Sequence, residues 1–233
     1  MKKFIVASLA LLSLTTAFSQ STEENPQTRQ VADFHAIEVS GGIDLYLSNG
    51  PSSVSISASS SSVRDHIKTE VENGTLHIYL DKNWHPSLGS NHMKAFVSLP
   101  SLTSLGASGG SDVFLQNEIK AGDLQIELSG GSDLKGKLSA THLEIKQSGG
   151  SDVHLSGIVQ NLQVNASGGS DLNGYDLITD YASLNASGGC DSHLTVNKEL
   201  RIVASGGSDV TYKGNGVIRE VKTSGSSSVT RKD

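Results

Sequence analysis

The stretch LEIKQSGGSDVHL, residues 143–155, decides the fold. Leu143 and Ile145 alternate with Glu144 and Lys146, the period-2 pattern of a strand with one buried face. Ser148-Gly-Gly-Ser-Asp152 breaks the pattern, and alternation resumes at Val153 and Leu155. Working outward, the same five residues recur at 108–112, 129–133, 167–171 and 205–209. Ser187-Gly-Gly-Cys-Asp191 is a close variant, Ser224-Gly-Ser-Ser-Ser228 a degenerate last copy, and Ser40-Gly-Gly-Ile-Asp44 an early echo. From 108 onward the copies are spaced by 21, 19, 19, 20, 18 and 19 residues.

Aligning the copies turns single residues into columns. Three positions before the first serine stand Leu105, Ile126, Ile145, Val164, Leu184, Ile202 and Val221; two residues further back, Thr103, Leu124, Leu143, Leu162, Ala182, Leu200 and Arg219. One residue before the serine the column reads Ala107, Leu128, Gln147, Ala166, Ala186, Ala204 and Thr223, with Gln147 the buried amide that needs a hydrogen-bond partner. After the aspartate come Val113, Leu134, Val153, Leu172, Ser192, Val210 and Val229. A unit of about 20 residues cannot bury its apolar face alone, but stacked units bury it continuously, with like residues about 4.8 Å apart. The glycines supply positive φ or close backbone approach at the corner. The expected fold is therefore all-β, a right-handed parallel β-helix with coils of about 19–20 residues. A propeller blade takes roughly 40–50 residues, and the leucine-rich-repeat pattern is absent.

Residues 31–100 are less regular. Ala36–Val39, Ile43–Leu47, Val54–Ala58 and Phe96–Leu99 alternate like strands, and Asn73-Gly74 between Lys68–Glu72 and Thr75–Leu80 is a strong hairpin signal. This part is expected to cap the solenoid or to continue it in irregular coils. Residues 1–19 read as a signal peptide: Lys2 and Lys3, an apolar run from Phe4 to Leu14, then small residues at Ala17 and Ser19. Residues 20–30 read as a polar tail, and 31–230 as a single solenoid domain, irregular over 31–100 and regular over 101–230.

Composition narrows the function. Loss of Lys2 and Lys3 with the signal moves the net charge from −6 to −8, a poor match to nucleic acid or anionic lipid. One cysteine, Cys190, leaves no internal disulfide framework, and no stretch after the signal is long enough to span a membrane. Gly106-Ala-Ser108-Gly-Gly110 matches a nucleophile elbow, but that elbow needs a strand-to-helix turn, and here the corner repeats inside an all-β pattern. His154 and His193 lie two coils apart, about 9.6 Å at the interstrand spacing, too far to share a metal. His85 and His92 share the long loop 81–94 with Asp81 alone, so solvated histidines are expected. Cys190 reads as a small residue in a serine slot. The corner aspartates Asp112, Asp133, Asp152, Asp171, Asp191 and Asp209 read first as turn formers, each bonding local backbone donors at its own corner, with a Ca²⁺-gathering ladder as the alternative. Trp84, the lone tryptophan, is the candidate ligand-contacting residue of the long loop.

The S-G-G/S-x-D corners, the early Asn73-Gly-Thr-Leu76 hairpin and the signal peptide together resemble a bacterial family, the putative auto-transporter adhesin, head GIN domain. The resemblance runs from about Phe34 to Val217. It implies an exported right-handed β-helix and carries over no catalytic residue. The function expected is a structural or binding protein of the periplasm, outer-membrane surface or exterior, contacting a glycan or envelope partner without cofactor. The alternatives are a polysaccharide lyase or hydrolase on a β-helix, and a purely architectural envelope protein. The columns also predict a stability test. Ile145→Ala should cost on the order of 2–5 kcal/mol through cavity formation, whereas Lys146→Ala should change stability by no more than about 0.5 kcal/mol; thermal melts of the two variants check the assignment of faces.

Overall fold

The structure is a computed structural model, and it describes residues 26–84 and 92–232. Residues 1–25, with the expected signal peptide and most of the expected polar tail, lie outside the described residues, as does His85. Strand content is 68% and helix content 2%, arranged as a β-solenoid of about 7 turns of roughly 19 residues.

The chain opens with β1 (Gln27–Thr28), β2 (Ala36–Ser40), β3 (Asp44–Asn49) and β4 (Ser53–Ser57). A five-residue helix α1 (Ser61–Asp65) follows, started by the Ser60 hydroxyl, which accepts from the Val63 N–H at 3.2 Å. Then come β5 (Ile67–Glu72), β6 (Thr75–Leu80), β7 (Lys94–Leu99), β8 (Ser104–Ser108) and β9 (Val113–Leu115). The regular coils contain β10 (Ile119–Leu128), β11 (Leu134–Gln147), β12 (Asp152–Gly168), β13 (Asp171–Gly188) and β14 (Asp191–Gly206), and β15 (Asp209–Lys213), β16 (Val217–Thr223) and β17 (Ser228–Arg231) end the stack.

The predicted columns are the observed registers. Ile145 is fully buried and pairs with Ile126 on one side and Val164 on the other. Leu134 pairs with both Val113 and Val153, and the column continues through Leu172 and Ser192 to Val210 and Val229. Ser192 is completely buried there, and its hydroxyl has no hydrogen-bond partner among the described residues. Gln147 finds its partners: Nε2 donates to the carbonyl oxygens of Ser151 and Asp171, each at 3.0 Å.

Thr103, Arg219 and Thr223 depart from the inward pattern, Thr223 being exposed on the last described coil. Thr103 is exposed and Leu102 is buried instead. Arg219 is also exposed, because the register slips between Leu200 and Arg201 and brings Ile218, not Arg219, opposite Leu200. At the last coil the column runs out of cover: Val221 pairs with Ile202 yet is 42% exposed, as no further described coil stacks on it.

The irregular N-terminal part both continues the solenoid and caps it. β2 lies between β6 and β8, and β3 between β7 and β9, all in parallel. The first coil in sequence is thus the second in space, so Leu45 pairs with Val113 across a sequence separation of 68 residues. Beyond the β6–β7 coil, β5 pairs antiparallel with β6 through the Asn73-Gly74 turn, whose positive φ values (51° and 77°) are those of a type I′ hairpin. β4 pairs antiparallel with β7, and β1 with β4. The expected polar tail therefore contributes a short strand at Gln27–Thr28. Outside this end, Tyr46 stacks between Phe96 and Phe114 with centroids 5.1 Å apart on each side, an aromatic ladder at coil spacing.

The corner residues explain why the repeat tolerates so little change. A Cβ on Gly168 would stand 2.7 Å from the Gly149 carbonyl oxygen, and one on Gly188 would stand 2.4 Å from that of Gly168. The same carbonyls accept the Gly169 and Gly189 N–H groups at 2.8 and 2.7 Å. The second glycine is freer: a Cβ on Gly169 would be 3.9 Å from its nearest neighbour. Gly168→Ala should therefore destabilise by about 2 kcal/mol or more, through positive φ and backbone collision together, while Gly169→Ala stays within about 0.5 kcal/mol. Denaturant melts of the pair measure the difference.

Candidate functional site

The second serine of each corner points into the solenoid. Ser111, Ser132, Ser151, Ser170 and Ser208 are all fully buried. Ser151, Ser170 and Ser208 close their own corners by donating to the carbonyl three residues back, at 3.0, 2.8 and 3.0 Å. Between coils, the Ser132 hydroxyl accepts the Ser111 N–H, and the Ser111 hydroxyl accepts the Ile43 N–H. Cys190 takes the same place: it is fully buried, and its thiol donates to the Ser187 carbonyl at 3.2 Å. His193, the base nearest in sequence, is instead stacked on Tyr175. A buried thiol in a serine pocket is a packing group.

The six corner aspartates form an outward row, and three of their carboxylates accept a backbone N–H from the next coil rather than from their own corner. Asp112 Oδ1 accepts the Asp133 N–H at 3.1 Å, Asp133 Oδ1 accepts from Asp152 at 3.3 Å, and Asp171 Oδ1 accepts from Asp191 at 3.1 Å. Asp209 Oδ1 accepts from the Ser228 hydroxyl at 2.6 Å. Among the described residues no group of three or more His, Cys, Asp or Glu side chains is placed to hold a metal ion. His154 and His193 pair with the two edges of Asn173, two coils apart as the spacing implies. Trp84 lies at the cap end, its ring parallel to that of His66 at 4.8 Å, so the imidazole covers one indole face.

Asp44 extends the aspartate row into the first coil. Partial burial first, and the charge of Asp112 second, push its carboxyl above the ordinary aspartate value.

A different feature has the shape of a binding site. Just past 122, 141, 160, 180 and 198, where the strand pairing skips a position, two outward rows run along the stack. One row is Asp123, His142, Asn161, Tyr181 and Glu199; the other, two residues on, is Gln125, Glu144, Gln163, Ser183 and Arg201. They line a groove of about 610 Å³. Successive side chains repeat at coil spacing, about 4.8 Å. Tyr181 is 39% exposed and carries the Lys198 ammonium 5.3 Å from its centroid. Asp180 holds Lys198 at 2.8 Å and raises its pKa, and Arg219 holds Glu199 at 2.7 Å and lowers its pKa. Asp123 and His142 are paired at 2.7 Å, with side chains 87% and 60% exposed. The sequence columns contained these residues as polar positions between buried ones. The signal that distinguishes the groove is the concentration of Asn161, Gln163, Gln125 and Tyr181 within adjacent rows.

These features define a parallel β-solenoid with one closed end and a polar groove along its side. By sequence, the chain belongs to the family described as putative auto-transporter adhesin, head GIN domain, which matches residues 33–216. No curated protein matches it. Among solved structures, a putative adhesin from Bacteroides fragilis superposes with a TM-score of 0.84 at 19% identity, covering 89% of this chain and 96% of that one. A putative adhesin from Parabacteroides merdae gives 0.68 at 14% identity, covering 89% and 95%. A protein described as a putative lipid binding protein from Parabacteroides distasonis gives 0.67 at 20% identity, covering 90% and 98%. At these identities the likeness is one of fold. No helix among the described residues is long and apolar enough to cross a membrane.

Asp44 gives a pH test. Because its folded pKa is raised, its favourable contribution is complete below the unfolded aspartate pKa and is lost as pH rises through the folded value. Asp44→Asn should therefore raise the melting temperature at pH 7 and leave it unchanged near pH 3. Melts at the two pH values check the sign.

Proposed function

We propose that this protein is exported and acts by binding, with the 123–201 groove as its contact surface for a surface glycan or another envelope component. The observation that carries the reading is the groove itself: side-chain amides, an exposed tyrosine and paired charges repeated at coil spacing along a rigid face. Glycan recognition uses such groups, since planar amides bond sugar hydroxyls and an aromatic ring offers an apolar face. Membership in an adhesin family supports the same direction.

The groove also contains Asp123, Glu144 and Glu199, the residue type that a lyase or hydrolase would use. Each has a side-chain partner: the His142 imidazole for Asp123, the Lys146 ammonium for Glu144 and the Arg219 guanidinium for Glu199. A general acid working near neutral pH relies on an environment that raises its carboxyl pKa. The Arg219 partner moves Glu199 in the opposite direction. These arrangements favour a binding role over a catalytic one.

The test is binding of the mature chain to a glycan array and to intact bacterial cells. Tyr181→Ala and Asn161→Ala should each weaken glycan binding by about tenfold, the equivalent of about 1.4 kcal/mol, without shifting the melting temperature. Retention of full affinity by both variants would remove the groove from the function.

A further inference from the structure

Charge is unevenly spread along the solenoid. Residues 26–197 carry nine Lys and Arg against eighteen Asp and Glu, a net charge of −9. Residues 198–232 carry seven against three, a net charge of +4. Several of the basic residues at this end are neutralised locally: Lys198 by Asp180, Arg219 by Glu199 and Lys222 by Glu220.

Lys213 and Lys232 differ. Neither forms an ion pair among the described residues, yet both converge on one ring. The Lys213 ammonium lies 4.4 Å from the centroid of Tyr175, and that of Lys232 lies 5.4 Å from it. The two cations are therefore within about 10 Å of each other, the screening length of roughly 0.1 M salt, so each feels the other's charge. One side chain stacks on the ring that gathers them, and one hydrogen bond holds its backbone. His193 stacks on it in parallel, with centroids 4.7 Å apart and planes within 5°. The Tyr175 carbonyl accepts from the Thr195 hydroxyl at 2.7 Å. Both His193 and Thr195 lie on β14, one coil further along the stack. His193 Nδ1 is shielded from solvent and has no hydrogen-bond partner among the described residues.

Two like charges held together on a positioned ring, at the basic end of an acidic molecule, make a cradle for negative charge. We propose that Tyr175, His193, Lys213 and Lys232 form an anion-recognition site that takes the carboxylate or sulfate groups of an acidic glycan. A discrete acidic substituent on a sugar chain suits this arrangement better than a flat anionic surface, because the −9 body repels extended negative charge while the local site attracts it. The site is separate from the groove residues and does not depend on them.

Isothermal titration of the mature chain at low salt tests this, using a heparin-derived hexasaccharide, an oligogalacturonate, inorganic sulfate and a neutral dextran oligomer. Both acidic oligosaccharides should bind, with affinity falling as salt is added; sulfate alone should bind weakly and dextran not at this site. The double variant Lys213→Gln/Lys232→Gln should lose at least about tenfold in affinity for the acidic sugars. Lys135→Gln/Lys137→Gln, which removes two lysines that have carboxylate partners, should stay within about twofold. Tyr181→Ala should leave acidic-sugar binding intact, which separates failure of this site from failure of the groove. Absence of binding by either acidic sugar, or equal loss in the two lysine variants, would overturn the proposal. Tighter binding to phosphatidylglycerol/phosphatidylcholine vesicles through Lys213 and Lys232 would overturn it in favour of a lipid headgroup.

Discussion

At each regular corner, the backbone of one coil touches the backbone of the next with no side chain between them. The Gly188 N and the Gly168 carbonyl oxygen would both lie within 3.0 Å of a Cβ placed on Gly206 or Gly188 respectively, and the N–H of Gly207 donates to the Gly188 carbonyl at 2.6 Å. That contact sets the coil spacing on one edge of the solenoid. Once the spacing is fixed there, the aliphatic columns must meet at strand distance, and the buried serines must fall within reach of their carbonyls. The core is narrow and built largely of Leu, Ile, Val and Ala. Its stability comes from the continuity of stacking, as in other repeat architectures, where each unit is satisfied by its neighbours.

Such continuity creates a problem at the ends, and this chain treats the two ends differently. At the N-terminal end, β4 and β5 run antiparallel to the last parallel coil, and β1 pairs on β4. Antiparallel strands interrupt the parallel register that a further coil would extend. At the other end of the described residues the columns lose their cover, leaving Ile218 and Val221 exposed while their partners Leu200 and Ile202 in the coil before are fully buried. The basic residues collect toward that end as well. The polar groove lies along the body between the two ends, on strands whose inward residues are packed and whose outward rows are consequently rigid.

Much of the fold was legible in the sequence because the inward pattern is nearly invariant. Ile126, Ile145, Val164, Leu184 and Ile202 can be aligned by eye, and the Asn73-Gly74 turn announces its own hairpin. The spatial order of the coils was not legible. Ile37 packs as well on Leu76 as on Leu105, so like aliphatic columns carry no record of which coil lies next to which. Local slips were also hidden. One extra residue before Glu220 puts Ile218 rather than Arg219 opposite Leu200, and both residues fit a strand. The inward role of the second corner serine needed the structure, because Ser is ordinary in exposed turns as well. The groove was the least legible, since outward positions answer only to solubility and ligand, and neither imposes a period. Cys190 was the informative exception: the substitution of a thiol for a hydroxyl in one copy marks a slot where size matters and a weak donor suffices.

Backbone hydrogen bonding at the corners ties each coil to the next, and residue-resolved amide hydrogen exchange tests it most directly. The N–H groups of Gly169, Gly189 and Gly207 lie in segments that a sequence would class as exposed turns, yet each donates to a carbonyl of the preceding coil. These three amides should exchange as slowly as strand amides of the central coils, such as that of Ile145. Exchange at the rate of freely solvated turn amides would contradict this bonding, and would mean that the coils are held together by their columns alone.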